Sequence, residues 1–118
     1  MAATVYYAWT PDLHFYFLSS AQTRHIQNLQ RDPHAAVCLS PASARWQSLR
    51  GIQMRGLVHA CLGEEGKRGR SAYFSRFPFA RAMERALQDA ALYCFLPDWV
   101  RLIDNRLGFG HKEEWSWP

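Results

Sequence analysis

The sequence predicts a mainly β protein, an antiparallel barrel with a few flanking helices. Three observations predict it. About six segments of strand-like composition, 6 to 14 residues long, are separated by hairpin-type turns. The helical segments are few and clustered, which argues against alternating βαβ units. Hydrophobic residues make up 48% and aromatic residues 14% of 118 positions, enough for one real core and too much for a disordered chain. A single domain over residues 1–118 is expected.

Residues 3–9 (ATVYYAW) form the first strand, rich in β-branched and aromatic side chains. Thr10-Pro11-Asp12 is turn chemistry, and residues 13–19 return as the second arm of a hairpin. A helix at about 21–32 stops before Pro33, with Ile26 and Leu29 on its inner face. A third strand covers 35–40, and Pro41–Ser48 is a polar loop around Trp46. Leu49–Leu62 is a long strand in which Gly51 and Gly56 mark bulges or close backbone approaches.

Gly63–Gly69 is expected to be a charged turn. Two helical pieces flank Pro78, and Phe79, Ala82, Met83, Ala86 and Leu87 form a core stripe on the second. Strands follow at Ala91–Leu96 and Trp99–Ile103, broken at Pro97-Asp98. The tail GFGHKEEWSWP holds a glycine turn and a last short strand.

Composition also narrows function. No apolar run reaches the ~20 residues that span a bilayer. The start MAATVYYAWT lacks the basic and apolar regions of a signal peptide, so a soluble cytoplasmic protein is expected. Cys38, Cys61 and Cys94 lie far apart in apolar runs and read as buried structural thiols. The histidines at 14, 25, 34, 59 and 111 show no paired ligand spacing, so no metal site is expected. Net charge is +4, and twelve of the fourteen basic residues are arginine, the better fork for phosphate. These charges follow no single strand face, and nucleic-acid binding is not expected.

The segment LHFYFLSSAQTRHIQNLQRDP, from Leu13 to Pro33, carries the most chemistry. An apolar strand runs into Ser19 and Ser20, and a helix opens with Thr23, Arg24 and His25. Helix starts leave N–H groups unpaired and carry partial positive charge, so hydroxyls and an arginine there can cradle a phosphate. Ser19-Ser20-Ala21-Gln22 equally fits a capping box, in which serine caps the helix and glutamine reaches back.

The order S-S-x-x-T-R-H-x-x-N-L-x-x-D-P, then G-I-Q-M-R-G, then Y-F-S-R-F-P, resembles the pyridoxamine 5′-phosphate oxidase-like, FMN-binding split-barrel family. The tail L-I-D-N-x-x-G-F-G-H-K-x-x-W is similar to a small, poorly characterised branch of it. The resemblance covers essentially the whole chain. It implies a split β-barrel and a homodimer with flavin mononucleotide (FMN) at the subunit interface. It also implies that Ser19, Thr23, Arg24 and His25, beside Ser20, hold the FMN phosphate. By the same resemblance His25, a weaker cation near neutral pH, stands where the family commonly has lysine.

By the same resemblance Gln53 faces the flavin, with Arg50 and Arg55 nearby. Alternation puts Gln53 and Arg55 on one strand face. His111 and Lys112 are the tail residues expected to reach the partner's flavin, with Trp46 and Trp115 as stacking or packing aromatics.

Departures from the family pattern matter too. The oxidase's arginine and histidine for pyridoxal phosphate correspond to Arg101 and Ile103, and its next arginine to Asn105, so pyridoxamine phosphate oxidation is not expected. Members usually carry a helix and a strand before the segment matching residues 3–9, and here that segment starts the sequence.

The expected function is a flavin-dependent oxidoreductase on an unknown small substrate. Flavin supplies the electron chemistry, and only Tyr16, Tyr73, His25 and His111 are titratable candidates beside it. The alternatives are a haem or flavin carrier without turnover, with His111 as iron ligand, and a dimeric barrel that binds no cofactor.

Overall fold

The computed structural model describes residues 6–20, 22–39, 50–82, 90–108 and 110–116. The fold is mainly antiparallel β, as the sequence predicts. Its elements are β1 (Tyr7–Trp9), β2 (Phe15–Ser20), α1 (Arg24–Arg31), β3 (His34–Leu39), β4 (Arg50–Ala60), α2 (Gly63–Arg76), α3 (Pro78–Ala82), β5 (Ala90–Asp104) and β6 (Lys112–Ser116). One 3₁₀ turn, Asn105–Leu107, separates β5 from β6. The hydrogen-bonded order is β1-β2-β5-β4-β3, with β6 also paired to β5. Residues 3–5, the loop 41–48 with Trp46, and Met83, Ala86 and Leu87 of the expected stripe lie outside the described residues.

The chain forms two compact units, Met1–Pro33 with Val58–Leu96, and His34–Leu57 with Pro97–Pro118. In the first, the β1–β2 hairpin aligns Tyr7 with Phe17 and Trp9 with Phe15, and β2 runs antiparallel to β5 from Phe15↔Phe95 to Ser20↔Ala90. Its core holds Ala8, Tyr16, Tyr73, Ala80, Leu92 and Cys94. Ile26 is also fully buried and fixes the inner face of α1, as its spacing predicts, while Leu29 is half-buried.

Three expectations are corrected in this unit, and a fourth at Cys38 in the second. Gly63–Gly69 is the first half of α2 rather than a turn. Gly63 at φ +62° redirects the chain, and Glu64 and Glu65 then complement the positive end of the helix. The charge run is the solvated side of a helix whose buried side carries Gly66, Gly69 and Tyr73. Phe79 is 62% exposed, so it does not share a core stripe. Tyr16 and Tyr73 are core residues, their hydroxyls pushed up chiefly by burial, and neither is open to a substrate. Cys94 is buried and Cys61 half-buried, but Cys38 of the second unit is exposed, because it falls on the outward positions of β3.

In the second unit β3 pairs with β4 from His34↔Leu57 to Leu39↔Ile52. Register runs unbroken through Ala35↔Gly56, so Gly56 is not a bulge. A methyl on Gly51 would meet the Leu39 carbonyl oxygen at an ordinary 3.5 Å, so Gly51 is not a forced close approach either.

β5 is one continuous strand through Pro97-Asp98. Its pairing with β2 ends at Phe95, and its pairing with β6 begins at Trp99. Pro97 falls between the two ladders, where its missing N–H breaks neither. The tail strand is β6, Trp115 lying opposite Val100.

Candidate functional site

The β2–α1 junction brings part of the predicted phosphate cradle together. Ser19 and Ser20 end β2 instead of capping the helix. Thr23 is the N-cap residue, in extended conformation, and no side chain caps α1. Its hydroxyl donates to the Ser20 carbonyl at 2.7 Å, while Ser20 Oγ accepts from the Gln22 N–H at 3.2 Å. The capping box is therefore not formed. The strand claims the serines first, because their backbones pair with Ala91 and Ala90 of β5.

Ser19 Oγ lies 2.8 Å from His25 Nε2 and 3.4 Å from Thr23 Oγ1. The hydroxyls and imidazole thus form one network over the helix start. The first N–H in an α1 hydrogen bond belongs to Gln27, bonded to the Thr23 carbonyl. The N–H groups of Arg24, His25 and Ile26 precede it and have no intrahelical acceptor. Arg24 is exposed and has no ion-pair partner among the described residues. This is a compact donor-rich surface of the kind that accepts an anion.

Gln53, His111 and Lys112 belong to the second unit. Gln53 is half-buried on β4, opposite Cys38 of β3. Two residues on, Arg55 shares its strand face, and its guanidinium stands 4.5 Å from the Trp99 ring centroid. Arg101 lies 4.9 Å from the same ring and donates to Glu114 at 2.7 Å. The side chain of Arg50 lies outside what the structure describes. Beside this array is an open cavity of about 430 Å³ lined by His34, Ala35, Ala36, Arg55, Gly56 and Asp98.

His111 is half-buried in the turn before β6, which Gly108 at φ +131° and Gly110 at φ +72° make possible. Its Nε2 is 3.4 Å from Glu113 Oε1, and its carbonyl accepts from the Asp104 N–H. Lys112 is exposed at the start of β6, opposite Ile103. The Asp104 carboxylate, almost fully buried, holds Arg106 through both oxygens at 3.0 and 2.8 Å.

Two arrangements escaped sequence reasoning. Trp99 under two arginines joins residues 44 positions apart on different strands, and only strand alternation from Trp99 to Arg101 hinted at half of it. The second lies in the first unit, where His14, Glu65 and Cys94 converge from three elements with no local spacing to announce them.

No helix among the described residues is long and apolar enough to cross a membrane. No family model matches the chain. Among protein sequences it is similar to a UPF0306 protein of Klebsiella pneumoniae, 33% identical over 114 residues, covering 96% of this chain and 74% of that protein. It is also similar to the UPF0306 protein YhbP of Escherichia coli O157:H7, 37% identical over 103 residues, covering 86% of this chain and 65% of that protein. Among solved structures it resembles a heme binding protein from Mycobacterium smegmatis, with a TM-score of 0.76 and 18% identity, over 95% of this chain and 45% of that one. It also resembles a pyridoxamine 5′-phosphate oxidase-related, FMN binding protein from Nostoc punctiforme, with a TM-score of 0.65 and 10% identity, over 98% of this chain and 78% of that one. At these identities the likeness is one of fold, the pyridoxamine 5′-phosphate oxidase-like split barrel.

Proposed function

The chain belongs to the UPF0306 family, and we propose that it is an FMN-binding split-barrel protein and a flavin-dependent oxidoreductase acting on a small substrate. One observation carries this reading. The α1 start has no side-chain cap, and Ser19, Thr23 and His25 are hydrogen-bonded around it with Arg24 exposed alongside. A phosphate there accepts from the first-turn N–H groups and pairs with Arg24. Ser20, already an acceptor for Gln22, shapes the turn that presents them.

In this reading Gln53 orients the flavin ring, and His111 and Lys112 serve the flavin of the second subunit in a homodimer. The flavin supplies electron transfer, while the side chains bind and orient. Pyridoxamine phosphate is not the substrate we propose. Ile103 cannot hydrogen-bond it, and Arg101 is already paired with Glu114.

Similarity to a heme binding protein favours a second reading, a haem carrier with His111 as iron ligand. The visible spectrum of the purified protein, incubated with FMN and then desalted, separates the two. Flavin bands that survive desalting, and weaken in Arg24→Ala, support the FMN site. One intense haem band moves the assignment to a carrier. A flat spectrum overturns both and leaves a barrel without a cofactor.

A further inference from the structure

We propose that His14, Glu65 and Cys94 form a binding site for a zinc-class divalent cation. His14 precedes β2, Glu65 lies in the first turn of α2, and Cys94 is in the middle of β5. One ligand atom from each lies within 4.8 Å of the others. Ligand atoms around a tetrahedral zinc stand roughly 3.3–3.8 Å apart, judged from its bond lengths. Small side-chain rotations close that difference.

A second observation points to the same place. Among the described residues, three buried polar atoms, all in the first unit, make no hydrogen bond of ordinary geometry: His14 Nδ1, Glu65 Oε1 and Tyr16 Oη, although the Glu65 carboxylate faces the Cys94 thiol and the Tyr16 hydroxyl faces Thr10. Two of them belong to the cluster. Tyr16 is fully buried and stands directly opposite Cys94 in the β2–β5 register, so both side chains leave the sheet on one face. Buried polar atoms without partners are costly and rare, and a bound ion is one of their ordinary explanations. A cation held here satisfies the imidazole and carboxylate together.

The donor set selects the metal. Thiolate and imidazole suit zinc and its neighbours, whereas calcium and magnesium prefer all-oxygen shells. Binding displaces the Cys94 proton to solvent, giving one thiolate, one carboxylate and one neutral imidazole. Two negative ligands then balance the dication. The other carboxylate oxygen of Glu65 is 3.2 Å from His59 Nε2, an outer partner of the kind that orients a metal-binding carboxylate. Asp12 Oδ2, 3.6 Å from His14 Nδ1, is the competing partner that the cation must displace.

Titration of chelator-treated protein with Co²⁺ tests the site. The expected result is a thiolate-to-cobalt charge-transfer band that saturates at one metal per chain and that Zn²⁺ abolishes. The band is lost in Cys94→Ser and retained in Cys38→Ser. His14→Ala and Glu65→Gln, both at half-buried positions and so tolerant of change, weaken binding by about 10-fold or more. Absence of the band, its loss in Cys38→Ser, or equal affinity in His14→Ala and Glu65→Gln overturns the proposal. A Cys94→Ser chain that fails to fold leaves the other two variants to decide.

Discussion

Ser19 Oγ and His25 Nε2 are 2.8 Å apart, a contact that ties the end of β2 to the first turn of α1. The pair spans a strand end and a helix start, so it sets the width of the donor surface between them. Removing the hydroxyl by Ser19→Ala frees the imidazole without opening a cavity of consequence. FMN retention is expected to fall by about 5- to 10-fold, the worth of roughly one ordinary hydrogen bond, while the melting temperature barely moves. Equilibrium dialysis with FMN checks it, and unchanged retention would separate Ser19 from the phosphate.

Gly69 packs closely against the Tyr16 ring. A methyl on Gly69 would come within 2.6 Å of the Tyr16 ring and 2.8 Å of Leu92. Tyr16 is fully buried, so its ring has nowhere to retreat. Gly69→Ala is expected to destabilise by about 1–3 kcal/mol, the usual cost of overpacking, despite alanine's better helix propensity. Urea unfolding reads the change directly. A stabilised variant would show that α2 is not held against β2 at this distance.

Asp12 gives an acid-dependent contribution to stability. Its carboxyl is held down to about 2 from an ordinary 3.8, first by the Thr10 hydroxyl and then by Arg68, whose Nη2 lies 2.6 Å away. A depressed carboxyl favours the fold above its unfolded value, and this contribution fades as pH falls through the folded value. Wild type should therefore out-melt Asp12→Asn at neutral pH, with the gap closing between about pH 4 and pH 2. A gap that persists at pH 2 would assign the effect to packing.

The three thiols should react at very different rates. Cys38 is exposed, whereas burial pushes Cys61 up to about 11 and Cys94 further still. The thiolate is the nucleophile, so both inner cysteines resist alkylation. One fast thiol is expected in the native protein, lost in Cys38→Ser, with the remainder appearing only in denaturant. A thiol-reagent time course followed by mass mapping decides it.

Elements with strong local chemistry are legible in the sequence. The hairpin at Thr10-Pro11-Asp12 forms where turn residues separate two aromatic runs, and α1 stops before Pro33 with Ile26 inward. Elements whose residues send mixed signals are not. Charge and three glycines make Gly63–Gly69 read as a turn, but two of those glycines, Gly66 and Gly69, face inward where side chains would collide. Pro97 reads as a strand break because sequence shows the missing donor but not whether a neighbour needs it.

The candidate site divides along the same line. The cradle at 19–25 is contiguous, so its residue types are readable in order, yet whether its serines cap the helix or pair with β5 is a choice that only strand register could make. Trp99 beneath Arg55 and Arg101, and the gathering of His14, Glu65 and Cys94, were decided by tertiary structure alone. Periodicity and turn chemistry act over a few residues, so the sequence by itself determined a β-rich, arginine-bearing barrel with one donor-rich helix start. Proximity between distant residues depends on pairing register and on how closely α2 rests on Tyr16, and those are properties of the packed chain.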